Sequence, residues 1–144
     1  MNVQAPEKPK TKKEVKPKSY AAFLTRQPHN EGVVINNLPL ADGTSSDKWM
    51  RVVGEDSDIF REGHARLLRL AIKEADSKDE KASDEAHKDR VTQLLADCVI
   101  DWNFEEELTR EERFYILKNA PKIYDKVNEA ITSKSLFVKK KLTP

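Results

Sequence analysis

The sequence predicts a mainly α-helical domain of about four helices, with a small N-terminal β-hairpin and a disordered basic N-terminal arm. Apolar residues recur at helical spacing in four segments after residue 57, and two short β-prone runs precede them. The first 18 residues are rich in lysine and proline. Because 144 residues suffice for one modest core, we expect an arm at 1–18, a single domain at 19–138 and a basic tail at 139–144.

The arm contains six lysines, two glutamates and three prolines, with Val3 and Val15 as its sizeable apolar residues. Such a segment buries too little apolar surface to offset the entropy lost on ordering. The apolar segment Tyr20–Leu24 follows it. We expect this segment to dock on the domain, and a short exposed recognition element is the alternative.

Two β-prone runs, at 32–35 and 49–53, predict the hairpin. Between them Asp42 and Gly43 form a turn signal, because glycine adopts positive φ without steric cost. A two-stranded ribbon is only marginally stable alone, so we expect it to lie against helices.

The first helix is expected from Asp58 to about Ala75, with Ser57 as its N-cap and a charged connector over 76–83. One face of it is apolar and is expected to be core; it comprises Phe60, His64, Leu67, Leu68, Ala71 and Ala75. The second helix is expected to run to Trp102 along the stripe Val91, Leu94, Leu95, Cys98, Val99 and Trp102.

A capping box of Thr109 and Glu112 opens a short third helix, which ends before Pro121. The inner face of this helix is expected to hold Phe114 and Leu117. A fourth helix then carries the stripe Ile123, Tyr124, Val127, Ala130 and Ile131.

No group of residues predicts catalysis, a cofactor or a metal site. His64 shares an apolar face, His87 lacks a second histidine four residues away, and His29 lies in an expected loop without a recognisable partner. Cys98 on an apolar stripe is expected to be an inert buried thiol. Asp97, Asp101 and the glutamates at 105–107 lack the spacing of a calcium loop, so we expect a solvated acidic surface. We therefore expect a protein that is not an enzyme.

The net charge of +1 divides unevenly along the chain. Residues 1–18 and 134–144 carry +4 each, which leaves −7 in between. An acidic domain makes nucleic acid an unlikely main partner, because phosphate binding needs basic residues on the folded surface. No apolar run approaches the ~18 residues of a membrane span, and the N-terminus has no signal-like apolar stretch, so no membrane partner is expected.

Large side chains are the best candidates for contacts with a protein partner, because aromatic residues dominate interface energetics. Trp102 and Phe104 equally fit a role in closing the core, whereas Tyr115 lies just off the inner face of its helix and is the better surface candidate. The expected partner-binding residues are Trp49, Trp102, Phe104, Tyr115, Tyr124, Leu136 and Phe137.

The turn at 42–44, followed by Trp49, Gly54 and an Asp-Ser-Asp helix start at 56–58 with Phe60 and Arg61, resembles the tail assembly chaperones of long, flexible-tailed bacteriophages. The segment 102–137 continues the likeness with a Trp, an acidic turn, a capped short helix ending before a Pro, and a last helix closing on an apolar pair. The resemblance covers roughly 33–138.

This resemblance implies binding to the tape measure protein, which the chaperone keeps soluble in the host cytoplasm without a cofactor. It also implies help in recruiting tail tube protein, and it is compatible with self-association. One alternative is a structural head–tail or tail-completion protein retained in the virion. The other is a nucleic-acid-binding adaptor that uses the Lys-rich ends.

Members of this family are often made in two lengths through a ribosomal frameshift, and the longer form would recruit tube subunits. Lys139, Lys140 and Lys141 are where we place the shift, since lysine codons can form an unbroken run of adenines. A soluble tail fits these lysines equally well. Sequencing of the three lysine codons and mass spectrometry of infected cells distinguish the two interpretations. If the run of adenines is interrupted and no extended product is detected, the lysines are a soluble tail only.

Overall fold

The computed structural model describes residues 18–75 and 80–138, and these hold five α-helices and three strands. In chain order they are α1 (Arg26–Glu31), β1 (Val33–Ile35), β2 (Met50–Val52), α2 (Asp58–Lys73), α3 (Glu80–Asp97), β3 (Val99–Trp102), α4 (Arg110–Asn119) and α5 (Pro121–Thr132). Single 3-10 turns lie at Ala21–Phe23 and Lys134–Phe137. The expected tail at 139–144 and all but the last residue of the expected arm lie outside the described residues.

The strands form one antiparallel sheet in the order β1-β2-β3. The pairing of β1 with β2 confirms the expected ribbon, whereas the expectation that the second helix continues to Trp102 is wrong. Helix α3 ends at Asp97, and the Cys98 carbonyl accepts the Val53 N–H at 2.9 Å. The backbone groups along the open edge of β2 need hydrogen-bond partners, which a continued helix would not supply. The β-branched run after α3 therefore pairs with this edge as a strand.

The other helix boundaries follow local signals. Ser57 Oγ accepts the Phe60 N–H and Thr109 Oγ1 accepts the Glu112 N–H, so both expected N-caps are confirmed. Pro121 opens α5 as expected. Two features differ from expectation: α1 forms a helix that the sequence did not indicate, and α3 already begins at Glu80, within the expected connector.

The core lies between one face of the sheet and helices α3, α4 and α5. Met50 and Val52 point inward from β2, and Arg51 between them points outward. Buried residues of α4 and α5 agree with the expected stripes: they are Leu117, Ile123, Val127, Ala130 and Ile131.

Helix α2 contradicts the expectation of a core face, because none of its residues is buried. Its Gly63 side faces α3, where an added Cβ would overlap Leu94 Cδ1, and an Arg90–Glu74 ion pair joins α3 to the C-terminal end of α2. Leu68, on another side, is 52% exposed. The helix therefore lies at the edge of the domain, and four of the six residues of its expected inner stripe are exposed.

His29 also differs from expectation, since it is buried in α1 and has partners on two distant segments. Its Nδ1 accepts the Asp56 N–H at 2.9 Å, and its ring stacks on Phe137 with a centroid distance of 4.4 Å. This contact, which we call the His29–Phe137 stack, fastens the C-terminal 3-10 turn to α1 and to the start of α2.

We expect the His29–Phe137 stack to make stability depend on pH. Burial lowers the pKa of His29 from its usual 6.5, against the raising effects of the Asp56 and Glu55 carboxylates. The unfolded chain therefore takes up a proton on His29 at a higher pH than the folded chain does. The contribution of the neutral, buried imidazole to stability is thus complete above about pH 6.5 and declines below it.

Thermal unfolding between about pH 7.5 and pH 5.5 measures this effect. The native chain should lose more Tm over that range than a His29→Gln variant, which cannot titrate there. Equal slopes for the two proteins would contradict the assignment of a neutral buried imidazole.

Candidate partner-binding surfaces

The seven expected partner-binding residues do not share one surface. Phe137 is only 3% exposed and belongs to the interior, so its assignment as a partner contact is corrected. Trp102 is also buried, Trp49, Phe104 and Tyr124 are partly buried, and Tyr115 and Leu136 are exposed.

Three of the seven come together in an open groove between the end of β3 and α4. We call it the acidic groove; it is lined by Trp102, Phe104, Glu106, Glu112, Tyr115 and Ile116. The two aromatic rings at its base meet edge to face at 5.2 Å, and the Trp102 indole N–H donates to the Glu106 carbonyl at 2.9 Å. These contacts position the two rings relative to each other, whereas Tyr115 at the side of the groove is 66% exposed.

Carboxylates line one part of the acidic groove, and Lys48 Nζ lies 5.9 Å from the centre of the Phe104 ring at its floor. Glu106 and Glu112 line it, and Glu105, Glu107 and Glu111 are exposed beside it in sequence. A groove with an aromatic floor and a negative rim favours an apolar side chain that arrives with positive charge.

At the end of α3, Asp97 is paired and Cys98 is buried. Asp97 pairs with Arg110, the Nε–Oδ1 distance being 2.9 Å. Burial raises the pKa of the Cys98 thiol to about 12, so the thiolate is absent at neutral pH. Within residues 18–75 and 80–138, no cluster of three or more His, Cys, Asp or Glu side chains could hold a metal ion.

A second surface runs along the solvent side of α2. We call this surface the outer stripe; it consists of His64, Leu68, Ala71 and Ile72. These residues are spaced at i, i+4, i+7 and i+8, and all four are exposed. Ile72 is 77% exposed, a large fraction for an aliphatic side chain in a helix. The stripe borders a shallow groove between the C-terminal end of α2 and the first turns of α3, where Ala71 and Ala75 face Ser83 and His87.

The third surface is the segment Tyr20–Leu24, which we call the N-terminal hook. Docking on its own domain was expected, but Phe23 is 80% exposed and Tyr20 and Leu24 are exposed as well. The chain is fixed immediately afterwards, because Thr25 donates to Asp56 Oδ2 at 2.6 Å and Arg26 pairs with Asp58 at 2.8 Å. The hook is therefore held out from the domain.

Sequence reasoning found the acidic groove in part, offered the exposed N-terminal hook as the alternative to docking, and missed the outer stripe. The sequence held one signal for the outer stripe. Leu67, Leu68 and Leu70 point to different sides of the helix, and a single neighbouring element cannot cover all of these sides.

Comparisons with protein-family models, curated proteins and solved structures give no match for this chain. Among the described helices, none is both long and apolar enough to cross a membrane.

Proposed function

We propose that this chain is a phage tail assembly chaperone, a binding protein without catalytic activity that covers apolar helices of a tape measure protein. The observation that carries the proposal is the outer stripe, an apolar surface on a well-formed helix that no part of the described chain covers. The family is taken from the resemblance of segments 42–61 and 102–137.

The outer stripe fits a helical partner for a physical reason. Leu68 and Ile72 lie one turn apart, as anchors for the apolar face of another helix do, and Ala71 between them lets a second backbone approach closely. Burying each of the two large side chains on binding contributes about 1.5–3 kcal/mol before the costs of association.

Charge around the stripe supports solubilisation of the complex. Arg61, Arg66, Arg69 and Lys73 lie on the same helix, and Glu80 and Asp84 flank the adjoining groove on α3. A partner helix seated on the apolar residues would thus be bordered by charges of both signs, which keep a long apolar protein from self-aggregating.

Co-expression with the tape measure protein of the same phage tests the proposal. We expect the native chain to raise the soluble yield of that protein several-fold and to elute with it from a size-exclusion column. The double variant Leu68→Ser/Ile72→Ser should lose most of this gain while its Tm stays close to that of the native chain, because both side chains are already exposed.

Leu40→Ser is the matched control, because Leu40 is 48% exposed on the loop between β1 and β2 and its loss should leave the yield unchanged. An unchanged yield with the native chain and no complex on the column would contradict the proposal. Recovery of the protein from purified virions would instead indicate a structural tail component. Steeply salt-dependent DNA binding would indicate the adaptor function.

A further inference from the structure

We infer that the helix bound by the outer stripe carries its charges in two separate rows, with carboxylates along one flank of its apolar face and lysine or arginine side chains along the other. The inference rests on the proposed function and deepens it, because it states the chemistry of the partner helix. Two grooves of opposite charge, one on each side of the stripe, carry the inference.

The first border is an open groove along α2, which we call the cationic groove. It is lined by two apolar and three basic side chains: Arg66, Arg69, Leu70, Ile72 and Lys73. Within residues 18–75 and 80–138, none of the three basic side chains forms an ion pair with a carboxylate. Their charge is therefore available to a carboxylate of a partner.

The second border is the shallow groove between α2 and α3, which we call the α2–α3 groove. Its carboxylates, which lie beside the imidazole of His87, are Glu74, Glu80 and Asp84. Glu74 is paired with Arg90 at 2.5 Å, whereas Glu80 and Asp84 are exposed. This border repels a carboxylate of the partner and attracts a basic side chain.

The outer stripe lies between the two grooves. Ala71 lines the α2–α3 groove, and the next residue, Ile72, lines the cationic groove. Leu68 lies one turn earlier, at an angle around the helix axis between these two residues. A partner helix seated on the stripe therefore meets cations along one flank and carboxylates along the other.

Borders of opposite charge also set the direction of the partner helix. Turning a helix end to end on the same contact exchanges its two flanks, so one direction pairs each row of charges with its complement and the other direction opposes like charges. A helix with both charges mixed on each flank loses this preference. The outer stripe thus selects a charge pattern in addition to an apolar face.

A protein helix matches these borders better than an anionic membrane surface does. Anionic lipid would favour the cationic groove and the exposed Ile72, but the carboxylates of the α2–α3 groove would face the same negative surface. A helix with two differently charged flanks satisfies both borders at once.

Binding of three labelled peptides to the native full-length chain tests the inference. Each peptide is an amphipathic helix of about 20 residues with the same leucine and alanine face. The first has glutamates on one flank and lysines on the other, the second has the same composition with both charges mixed on each flank, and the third has glutamine on both flanks.

Fluorescence anisotropy gives the affinity of each peptide. We expect the first peptide to bind roughly tenfold more tightly than either of the others, because each exposed ion pair changes affinity by about 1.5- to 5-fold. High salt should reduce this difference, because it screens exposed charges.

Two charge variants assign the effect to the cationic groove. Arg69→Glu/Lys73→Glu should remove the preference for the first peptide while Tm stays near the native value, because both side chains are exposed. Lys122→Glu/Lys126→Glu is the matched control, since it makes the same change of charge on α5, which lines neither groove, and it should keep the preference.

Equal affinities of the native chain for the first and second peptides would overturn the inference, and so would a preference that survives Arg69→Glu/Lys73→Glu. No binding of any peptide, or tighter binding to vesicles containing phosphatidylserine than to the first peptide, would also overturn it. The chaperone function fails separately: a native chain that selects the first peptide but leaves the tape measure protein insoluble contradicts that function alone. A gain in soluble yield without selection among the peptides contradicts only the charge pattern.

Discussion

Replacing Phe137 with alanine is expected to lower the free energy of unfolding by about 3–5 kcal/mol. The side chain is almost fully buried and stacks on His29, so its loss leaves a cavity next to a buried polar ring. For a domain of this size, the expected loss in Tm is roughly 10–20 °C. Thermal unfolding at neutral pH measures it.

Leu136→Ala is the matched control, because Leu136 adjoins Phe137 but is half exposed on the same 3-10 turn. We expect this change to cost less than about 1 kcal/mol. Equal effects of the two substitutions would show that the C-terminal turn does not pack as described. The two substitutions also distinguish a role of Phe137 in folding from the role in partner contact that the sequence predicted for it.

Replacing Gly54 with alanine is expected to destabilise the domain by about 2 kcal/mol or more. An added Cβ would overlap His29 Nδ1 and come within 2.8 Å of Cγ and 2.9 Å of Cε1 of the same ring. The ring is buried and cannot move away without losing its hydrogen bond from the Asp56 N–H. Chemical denaturation gives the change in free energy.

A double-mutant cycle identifies the cause. If the cost of Gly54→Ala arises from the imidazole, the double variant Gly54→Ala/His29→Ala should be no less stable than His29→Ala alone. Additive losses would mean that the glycine is needed for another reason. Gly43→Ala serves as a second reference, because that glycine has a φ of +89° in an exposed turn and its replacement should cost about 1–2 kcal/mol through backbone strain alone.

These two predictions concern one place in the fold, where three segments distant in sequence meet. Glu55 donates its N–H to the Ile131 carbonyl at 3.2 Å, and Gly54 donates to the His29 carbonyl at 3.0 Å. The region joins α1 and the N-terminal hook to the end of α5. A variant that loosens this region is therefore expected to lower the stability of the domain.

Several elements could be predicted because their causes are local. Ser57 and Thr109 cap helices through hydrogen bonds to residues three positions later, and Pro121 starts α5 through its own fixed φ. The apolar spacing of α5 identified its buried face for the same reason, since a helix this amphipathic has one face to bury. The turn at Asp42 and Gly43 likewise depends on adjacent residues, with Asp42 accepting the Thr44 N–H at 2.9 Å.

Other features depend on segments that are far apart in sequence, and no local pattern specifies them. Val99 and Trp102 fit a helical stripe, but the open edge of β2 is present and draws them into a strand. The spacing of α2 indicates an apolar side without saying whether a neighbour covers it, and no segment within 18–75 or 80–138 covers Leu68 and Ile72. His29 lies in a short polar helix and is buried because distant segments pack against its ring, namely Gly54 and Phe137, the latter more than a hundred residues later. The hook and the outer stripe are binding candidates because the part of the chain that the structure describes leaves both of them exposed.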